Sequence, residues 1–188
     1  MPKHFYSKGE GNDGYIKNLE VLSFCGMDDS CGMFQMALYK TKEGRYLLYG
    51  AAFEAGPAGV GIMISDVTDP KKPFFIKKWL PFSIEEYPTT SIPKVQIADD
   101  KLIFALTSGA GPGVLVGDRD KVKSLQGIMI YSLKDDPENP EFLGYWDCGV
   151  PHSMGVHRFM YNGGDYVHLS AEAMEFEGMI YRIINISD

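Results

Sequence analysis

Short apolar segments recur along the whole chain and are separated by Gly, Pro, Asn and Asp. Residues 46–51 read Tyr-Leu-Leu-Tyr-Gly-Ala, and residues 101–107 read Lys-Leu-Ile-Phe-Ala-Leu-Thr. Runs of four to eight residues rich in aromatic and aliphatic side chains, bounded by turn formers, predict β-strands. Apolar residues at helical spacing are nearly absent. The pattern therefore predicts an all-β chain with no helix longer than about three turns.

One phrase occurs three times and divides the chain into repeats. Gly-Ile-Met-Ile begins at Gly61 and again at Gly127, and a related apolar segment begins at Gly178. After the first two, an Asp/Pro turn leads into a second apolar segment that ends at Trp79 and Trp146. Repeats of roughly 50–65 residues built from short strands are typical of stacked β architectures. We therefore predict β-propeller blades of four strands each.

The predicted strands fall into three successive groups. The first blade has strands at 33–38, 46–51, 61–66 and 74–79; the second at 94–98, 101–107, 127–133 and 141–146; the third at 156–160, 166–170 and 179–186. The third group lacks a fourth strand. Apolar and polar residues alternate in 18–26 as they do in 140–149, so residues 18–26 are predicted to be that missing strand. We predict one partial propeller domain over 1–188, with an arm at 1–17, a strand plus blade one at 18–79, blade two at 80–146 and blade three at 147–188.

Two longer phrases resemble those of the LVIVD-repeat β-propeller proteins. They are Asp66-Val-Thr-Asp-Pro-Lys-Lys-Pro73, and Gly155-Val-His-Arg-Phe159 followed by Gly163–Ser170. The likeness spans nearly the whole chain and departs from the family's Gly-Thr-His-Arg-Asn at Val156 and Phe159. Since family members are usually about twice as long, the chain resembles an amino-terminal half. More distantly, it is similar to selenium-binding-protein-type propellers, some of which resemble metal-dependent oxidases.

Three blades are too few for a closed ring, because propellers carry about four to eight. Open sheet edges and faces favour association with other strands. We therefore expect a partner that completes a six- or seven-bladed ring. The partner is either a second copy of this chain or a separate chain that resembles the missing half of the family.

Composition narrows the classes of partner and the compartment. The net charge of −7 argues against nucleic acid as a partner, because a phosphate backbone requires a basic surface. No apolar stretch reaches the length of a membrane span, and the amino terminus lacks the apolar core of a signal peptide. Three cysteines, an odd number, do not suggest a disulfide framework. We expect a cytoplasmic protein without a membrane partner.

The innermost strands of a propeller line its central channel, so their polar residues are the first candidates for a site. Aligning the three segments places Gln35, Gln96 and His157 in one register, where we expect them to share a polar cavity. Arg158 follows His157 and points to the other face by strand alternation. These polar groups could instead bond only channel water and backbone.

Three histidines form a second group of candidates. His152 lies in the connection before the third blade, His157 on its innermost strand and His168 on its second strand. Imidazole is both a common metal ligand and an acid–base group near neutral pH. Their spacing matches no closed zinc signature, and a structural role suits His168.

The leading functional hypothesis is a β-propeller subunit that binds a small molecule. We favour an enzyme, whose reaction class the sequence does not assign. His157 and His152 would be the catalytic residues, and Gln35, Gln96 and Arg158 would bind substrate. A divalent metal ion held by His157, His152 and His168 would be the cofactor. The alternative is a non-catalytic protein-interaction scaffold. It would use the face that carries the long connections, at 52–60, 80–93, 108–126, 147–155 and 171–177.

Overall fold

A computed structural model describes residues 20–26, 33–53, 60–108, 123–151 and 153–187. This part of the chain contains three antiparallel sheets and no helix. It accordingly has no helix that is long and apolar enough to cross a membrane. The predicted all-β fold is therefore confirmed for the residues described.

The strands follow one another in chain order within each sheet. The first sheet has the order β1 (Met33–Lys40), β2 (Tyr46–Phe53), β3 (Val60–Asp66) and β4 (Phe74–Trp79). The second contains β5 (Thr90–Ser91), β6 (Val95–Ala98), β7 (Lys101–Ser108), β8 (Gly127–Ser132) and β9 (Glu141–Asp147), with both β5 and β6 paired to β7. The third contains β10 (Arg158–Met160), β11 (Tyr166–Ala171) and β12 (Ile180–Asn185). Each strand predicted from residue 33 onward is present, with ends within two residues, and only the short β5 was not predicted.

The repeated phrase gives the first two sheets the same local geometry. Gly61 and Gly127 begin the apolar segments of their third strands with φ of +139° and +150°, values that L side chains rarely adopt. A Cβ at Gly127 would lie 1.8 Å from the carbonyl oxygen of Trp146, so the neighbouring strand leaves no room for a side chain. Trp79 pairs with Ile62 and Trp146 pairs with Ile128, one residue after each glycine. The two occurrences of the phrase therefore share the same local geometry and the same pairing.

Alternate residues of adjacent sheets meet in two apolar clusters. The cluster between the first and second sheets includes Leu47, Tyr49, Ile62, Ile64, Leu102, Phe104, Met129 and Tyr131. The cluster between the second and third sheets includes Ile103, Ala105, Ile128, Val156, Phe159, Val167 and Leu169. We call the side of a sheet that packs on the next sheet its forward face, and the side that packs on the preceding sheet its backward face.

The two tryptophans reach from one sheet to the next at equivalent places. The Trp79 ring packs edge-on against Phe104 and Tyr131, with centroids 6.2 and 4.7 Å away. Phe104 and Tyr131 stack on each other at 5.5 Å. One sheet further along, the guanidinium of Arg182 lies 4.8 Å from the centroid of Trp146. Both contacts add directional attraction to the burial of apolar area.

Polar contacts join the first two sheets at their connecting turns. Arg45 donates to Asp66 at 2.9 Å and to Glu138 at 2.8 Å, and so ties a turn of each sheet together. The Tyr49 hydroxyl donates to the carbonyl of Pro137 at 2.5 Å. Tyr39 donates to the Asp100 carboxylate at 2.9 Å. The junction therefore combines an apolar interior with satisfied polar groups near its rim.

Tyr39 makes the stability of this junction sensitive to alkaline pH. Burial, and then the hydrogen bond and charge of Asp100, raise the pKa of Tyr39 from 10.0 to about 12. Because the pKa is lower in the unfolded chain, that state loses the proton at lower pH than the folded state. The contribution of Tyr39 to stability is therefore complete below pH 10 and is lost as pH rises towards 12. At pH 11 the loss from this residue is about 1.4 kcal/mol. We expect the decline in the free energy of unfolding between pH 9 and 11, measured in urea, to be smaller by that amount in Tyr39→Phe. An equal decline in both proteins would contradict this assignment.

The amino-terminal segment is predicted to be the missing fourth strand of a blade. Residues 20–26 form no strand in this chain, and residues 18 and 19 lie outside those described. The segment is held beside the first sheet, where the Ser23 hydroxyl donates to the carbonyl of Pro70 at 2.5 Å. Val21, Leu22 and Phe24 remain exposed. The predicted strand over 18–26 completes a blade of another chain, so this single chain does not test it and it stays a prediction.

Candidate functional site

Gln35 lies on β1 and projects from the forward face of the first sheet. It pairs with Ala51, and it alternates with Ala37 and Tyr39, which pack in the first apolar cluster. Its side-chain oxygen is buried and has no hydrogen-bond partner within the described ranges. An unsatisfied buried acceptor is uncommon in a folded protein, so this position is a place where a further donor would be favourable.

Lys94, and not Gln96, holds the corresponding place in the second sheet. Ala51 and Ala105 are equivalent, because each pairs with the isoleucine that follows a phrase glycine. Gln35 pairs with Ala51, and the carbonyl of Lys94 accepts the amide of Ala105 at 3.0 Å. Gln96 pairs with Ile103, two residues or about 7 Å further along the strand. The predicted common register of Gln35 and Gln96 is therefore wrong by two residues.

Gln96 has a structural partner in the third sheet. Its side-chain oxygen accepts the backbone amide of Tyr161 at 2.6 Å. Nearby, the carboxylate of Asp99 accepts the amide of Gly164 at 2.7 Å. Both bonds join the β6 region of the second sheet to the turn after β10, so Gln96 contributes to the junction between sheets.

A tight connection brings His157 and Arg158 to the inner strands of the second sheet. Gly155 has φ of +77°, and its amide donates to the Ser153 hydroxyl at 2.9 Å. The amide of Val156 then donates to the carbonyl of Leu106 at 3.0 Å. Leu106 follows Ala105, whose own amide binds the carbonyl of Lys94. The backbone therefore carries residues 156–158 to the strand that also positions Lys94.

His157 is half-buried just before β10, and Arg158 begins that strand with an exposed side chain. Arg158 pairs with Ser170 of β11. Phe159, the next residue, is buried in the second apolar cluster, whereas Arg158 and Met160 lie on the forward face of the third sheet. Arg158 therefore lies on the uncovered side of the third sheet, where it also lines a surface depression, and His157 is the residue that precedes it at the start of the strand.

We call Lys94, His157 and Arg158 the inner cationic group, because all three lie at or next to the innermost strands β6 and β10. Burial lowers the pKa of Lys94, and the charge of Arg158 lowers it further. Burial also lowers the pKa of His157, followed by the charges of Arg158 and Lys94. In the part of the chain that the structure describes, the ion pairs are those of Arg45 with Asp66 and Glu138, so neither Lys94 nor Arg158 has a carboxylate partner there.

The predicted metal site includes His152, so the described residues do not test it as a whole. Over the described ranges, no three His, Cys, Asp or Glu side chains are grouped so that they could hold a metal ion. His152 lies outside the described residues, and its predicted catalytic and metal-binding roles stay predictions.

His168 lies on the forward face of the third sheet and is engaged with a tyrosine. Its Nδ1 lies 2.6 Å from the Tyr181 hydroxyl, and the two rings stack at 6.0 Å with planes 9° apart. This pair lines one side of a broad depression of about 620 Å³ on that face. The structural role that the sequence suggested for His168 agrees with this partner, and the depression was not predicted.

Among the described residues, the first and third sheets each have one face on which no other sheet packs. On the backward face of the first sheet, Phe34, Met36 and Leu38 are each more than half exposed. On the forward face of the third sheet, Met160, Tyr166, Tyr181 and Ile183 are also more than half exposed. Exposed apolar side chains in contiguous rows mark surfaces that bind other molecules.

Comparison of the chain with models of protein families, with curated proteins and with solved structures finds no match. The resemblance to LVIVD-repeat propellers therefore stays a prediction.

The sequence analysis missed Lys94, although a signal for it exists. Ala51 and Ala105 are equivalent, because each directly precedes the residue that pairs with a phrase glycine. Gln35 pairs with Ala51, and Lys94 lies opposite Ala105.

Proposed function

We propose that this chain is a β-propeller subunit whose three sheets are blades and whose ring is completed by a second copy. The inner strands of the ring would line a channel that binds a small molecule. The two uncovered faces are the observation that carries this proposal. One is a backward face and the other is a forward face.

These two kinds of face already pair twice inside the molecule. The forward face of the first sheet packs on the backward face of the second, and the same arrangement joins the second to the third. A third junction of this kind would bring the forward face of one copy onto the backward face of another. Two copies related by a two-fold axis would form that junction twice and cover both faces. A six-bladed ring lies within the usual range of about four to eight.

Sedimentation equilibrium at micromolar concentration tests the assembly. We expect a mass of twice the 21.0 kDa of one chain. Met36→Lys and Ile183→Glu each place a charge in both junctions of the dimer, so each variant should sediment as a monomer. Leu143→Glu is the matched control, because Leu143 is a half-exposed residue of β9 on neither uncovered face. Circular dichroism of each variant checks that its sheets are retained.

A mixture of the two variants provides the sharper test. A mixed dimer of Met36→Lys with Ile183→Glu has one unaltered junction, and its other junction holds opposite charges. We expect the mixture to recover dimers that neither variant forms alone. A wild-type monomer would overturn closure by a second copy and favour a different partner chain. A dimer that survives Met36→Lys but not Ile183→Glu would overturn the forward-to-backward arrangement.

The inner cationic group supports the small-molecule part of the proposal. Lys94 directly precedes the innermost strand of the second sheet, and Arg158 begins that of the third, and neither has a carboxylate partner among the described residues. Polar groups held by rigid strands are typical of ligand sites. A catalytic role for His157 remains a prediction, as does the alternative of an interaction scaffold that uses the long connections. Two of those connections include residues 54–59 and 109–122, which lie outside the described ranges.

A further inference from the structure

We infer that the depression on the forward face of the third sheet binds a small aromatic carboxylate. Arg158 would hold the carboxylate, and the stacked rings of His168 and Tyr181 would contact the aromatic ring. This inference rests on the proposed function, because it places the small molecule of the ring where the second copy would cover it.

The register of the strands brings the polar side chains of this depression together. Arg158 pairs with Ser170, and Ser170 pairs with Tyr181, so the three form one row across β10, β11 and β12. Directly opposite side chains on one face lie about 5 Å apart. His168 lies on the same face, with its Nδ1 2.6 Å from the Tyr181 hydroxyl. All four residues line the depression of about 620 Å³, so a single small molecule can contact them together.

Tyr181 occupies the place that an isoleucine holds in the other two sheets. It lies three residues after Gly178, just as Ile64 and Ile130 lie three residues after the phrase glycines of the first two sheets. Both isoleucines pack against the next sheet in the apolar clusters. Tyr181 is 67% exposed, and its hydroxyl is bonded to His168. Its ring therefore remains open to a ligand.

Arg158 is placed where the other two sheets carry no charge. The corresponding residues, each at the inner end of the equivalent row, are Ala37 and Gln96. Ala37 packs in the first apolar cluster, and the Gln96 side chain accepts the amide of Tyr161 in the next sheet at 2.6 Å. Arg158 is exposed and has no carboxylate partner among the described residues. A junction that closed over this guanidinium would bury an uncompensated charge, unless an anion were bound there.

The lining of the depression selects both parts of the ligand. A guanidinium presents a planar fork of donors that matches the two oxygens of a carboxylate. The His168 and Tyr181 rings lie with their planes 9° apart, and Met160 on the same face is more than half exposed. Aromatic rings stack favourably on other rings and gain from the burial of apolar area. An aromatic carboxylate therefore compensates the charge and covers the apolar surface beside it.

An amide NMR titration with benzoate tests the inference, and benzyl alcohol supplies the same ring without the charge. We expect benzoate to shift the amide signals of Ser170 and Tyr181 in a saturable way, and benzyl alcohol to bind about tenfold more weakly. Arg158→Gln should weaken benzoate binding by about tenfold or more, because the charge-assisted hydrogen bonds are lost. Lys72→Gln is the control, since it removes the same charge from an exposed turn and should bind as wild type does.

Two results of the titration would overturn the inference. Benzoate that binds equally to wild type and Arg158→Gln, or that does not bind at all, would show that Arg158 does not hold a carboxylate. Benzyl alcohol that binds as tightly as benzoate would overturn the ligand class. Either result would leave the ring untouched.

Sedimentation of the same samples reports separately on the ring. We expect bound benzoate to lower the dissociation constant of the wild-type dimer, because the ligand compensates Arg158 where the second copy covers it. A dissociation constant that bound benzoate leaves unchanged or raises would overturn the placement of the ligand under the second copy. A wild-type monomer that binds benzoate through Arg158 would overturn the ring and leave the carboxylate site standing.

Discussion

Phe104→Ala is expected to lower the free energy of unfolding by about 3–5 kcal/mol, the usual range for truncation of a buried phenylalanine. Phe104 is fully buried and contacts both Trp79 of the first sheet and Tyr131 of its own sheet. Its removal would leave a cavity between two sheets and also remove two aromatic contacts. Urea denaturation followed by tryptophan fluorescence would report the change directly, because Trp79 is part of the cluster.

Phe142→Ala is the matched control for this prediction. Phe142 also packs against Tyr131, at 5.4 Å between centroids, but it is 55% exposed. The same chemical change there should cost about 1 kcal/mol or less, because little surface is buried and no cavity forms. Similar losses for both variants would contradict the view that the aromatic cluster holds the first two sheets together.

The sequence predicts the strands of this protein well because each strand is a local pattern. Alternation, β-branched and aromatic residues and flanking turn formers all act over a few residues, and the repeated phrase at Gly61 and Gly127 fixes equivalent positions in two sheets. β5 is the exception, since two residues are too few to produce a pattern. The amino-terminal segment is the opposite case, because its pattern favours a strand but a strand requires a neighbour to pair with.

The site was harder to predict because its register depends on contacts between distant residues. The position of Gln96 is set by its pairing with Ile103, and its side chain bonds to Tyr161, which is 65 residues away. The innermost strands share no phrase, so an alignment of one polar residue per strand could slip by two residues without altering the alternation. His157 lies before its strand for a similar reason, because Gly155 turns the chain at a place where no alternation pattern applies.

Gly155→Ala should lower the free energy of unfolding by about 3 kcal/mol or more, and it should disrupt the border where the inner cationic group lies. A Cβ at this position would lie 2.3 Å from the carbonyl oxygen of Leu106, which is the acceptor for Val156, so the connection would have to shift. The backbone strain of φ +77° adds about 1 kcal/mol. Hydrogen exchange should show loss of protection at the amide of Val156.

Gly149→Ala separates strain from steric overlap in this experiment. Gly149 has a similar φ of +71°, but a Cβ there would have no atom within 4 Å. Its substitution should therefore cost only the strain, about 1 kcal/mol, and leave the amide of Val156 protected. The difference of about 2 kcal/mol between the two variants measures the close approach of the Gly155 connection to β7. Equal losses would mean that strain alone accounts for both glycines. The contact with Leu106 would then not be what fixes the chain at Val156 against β7.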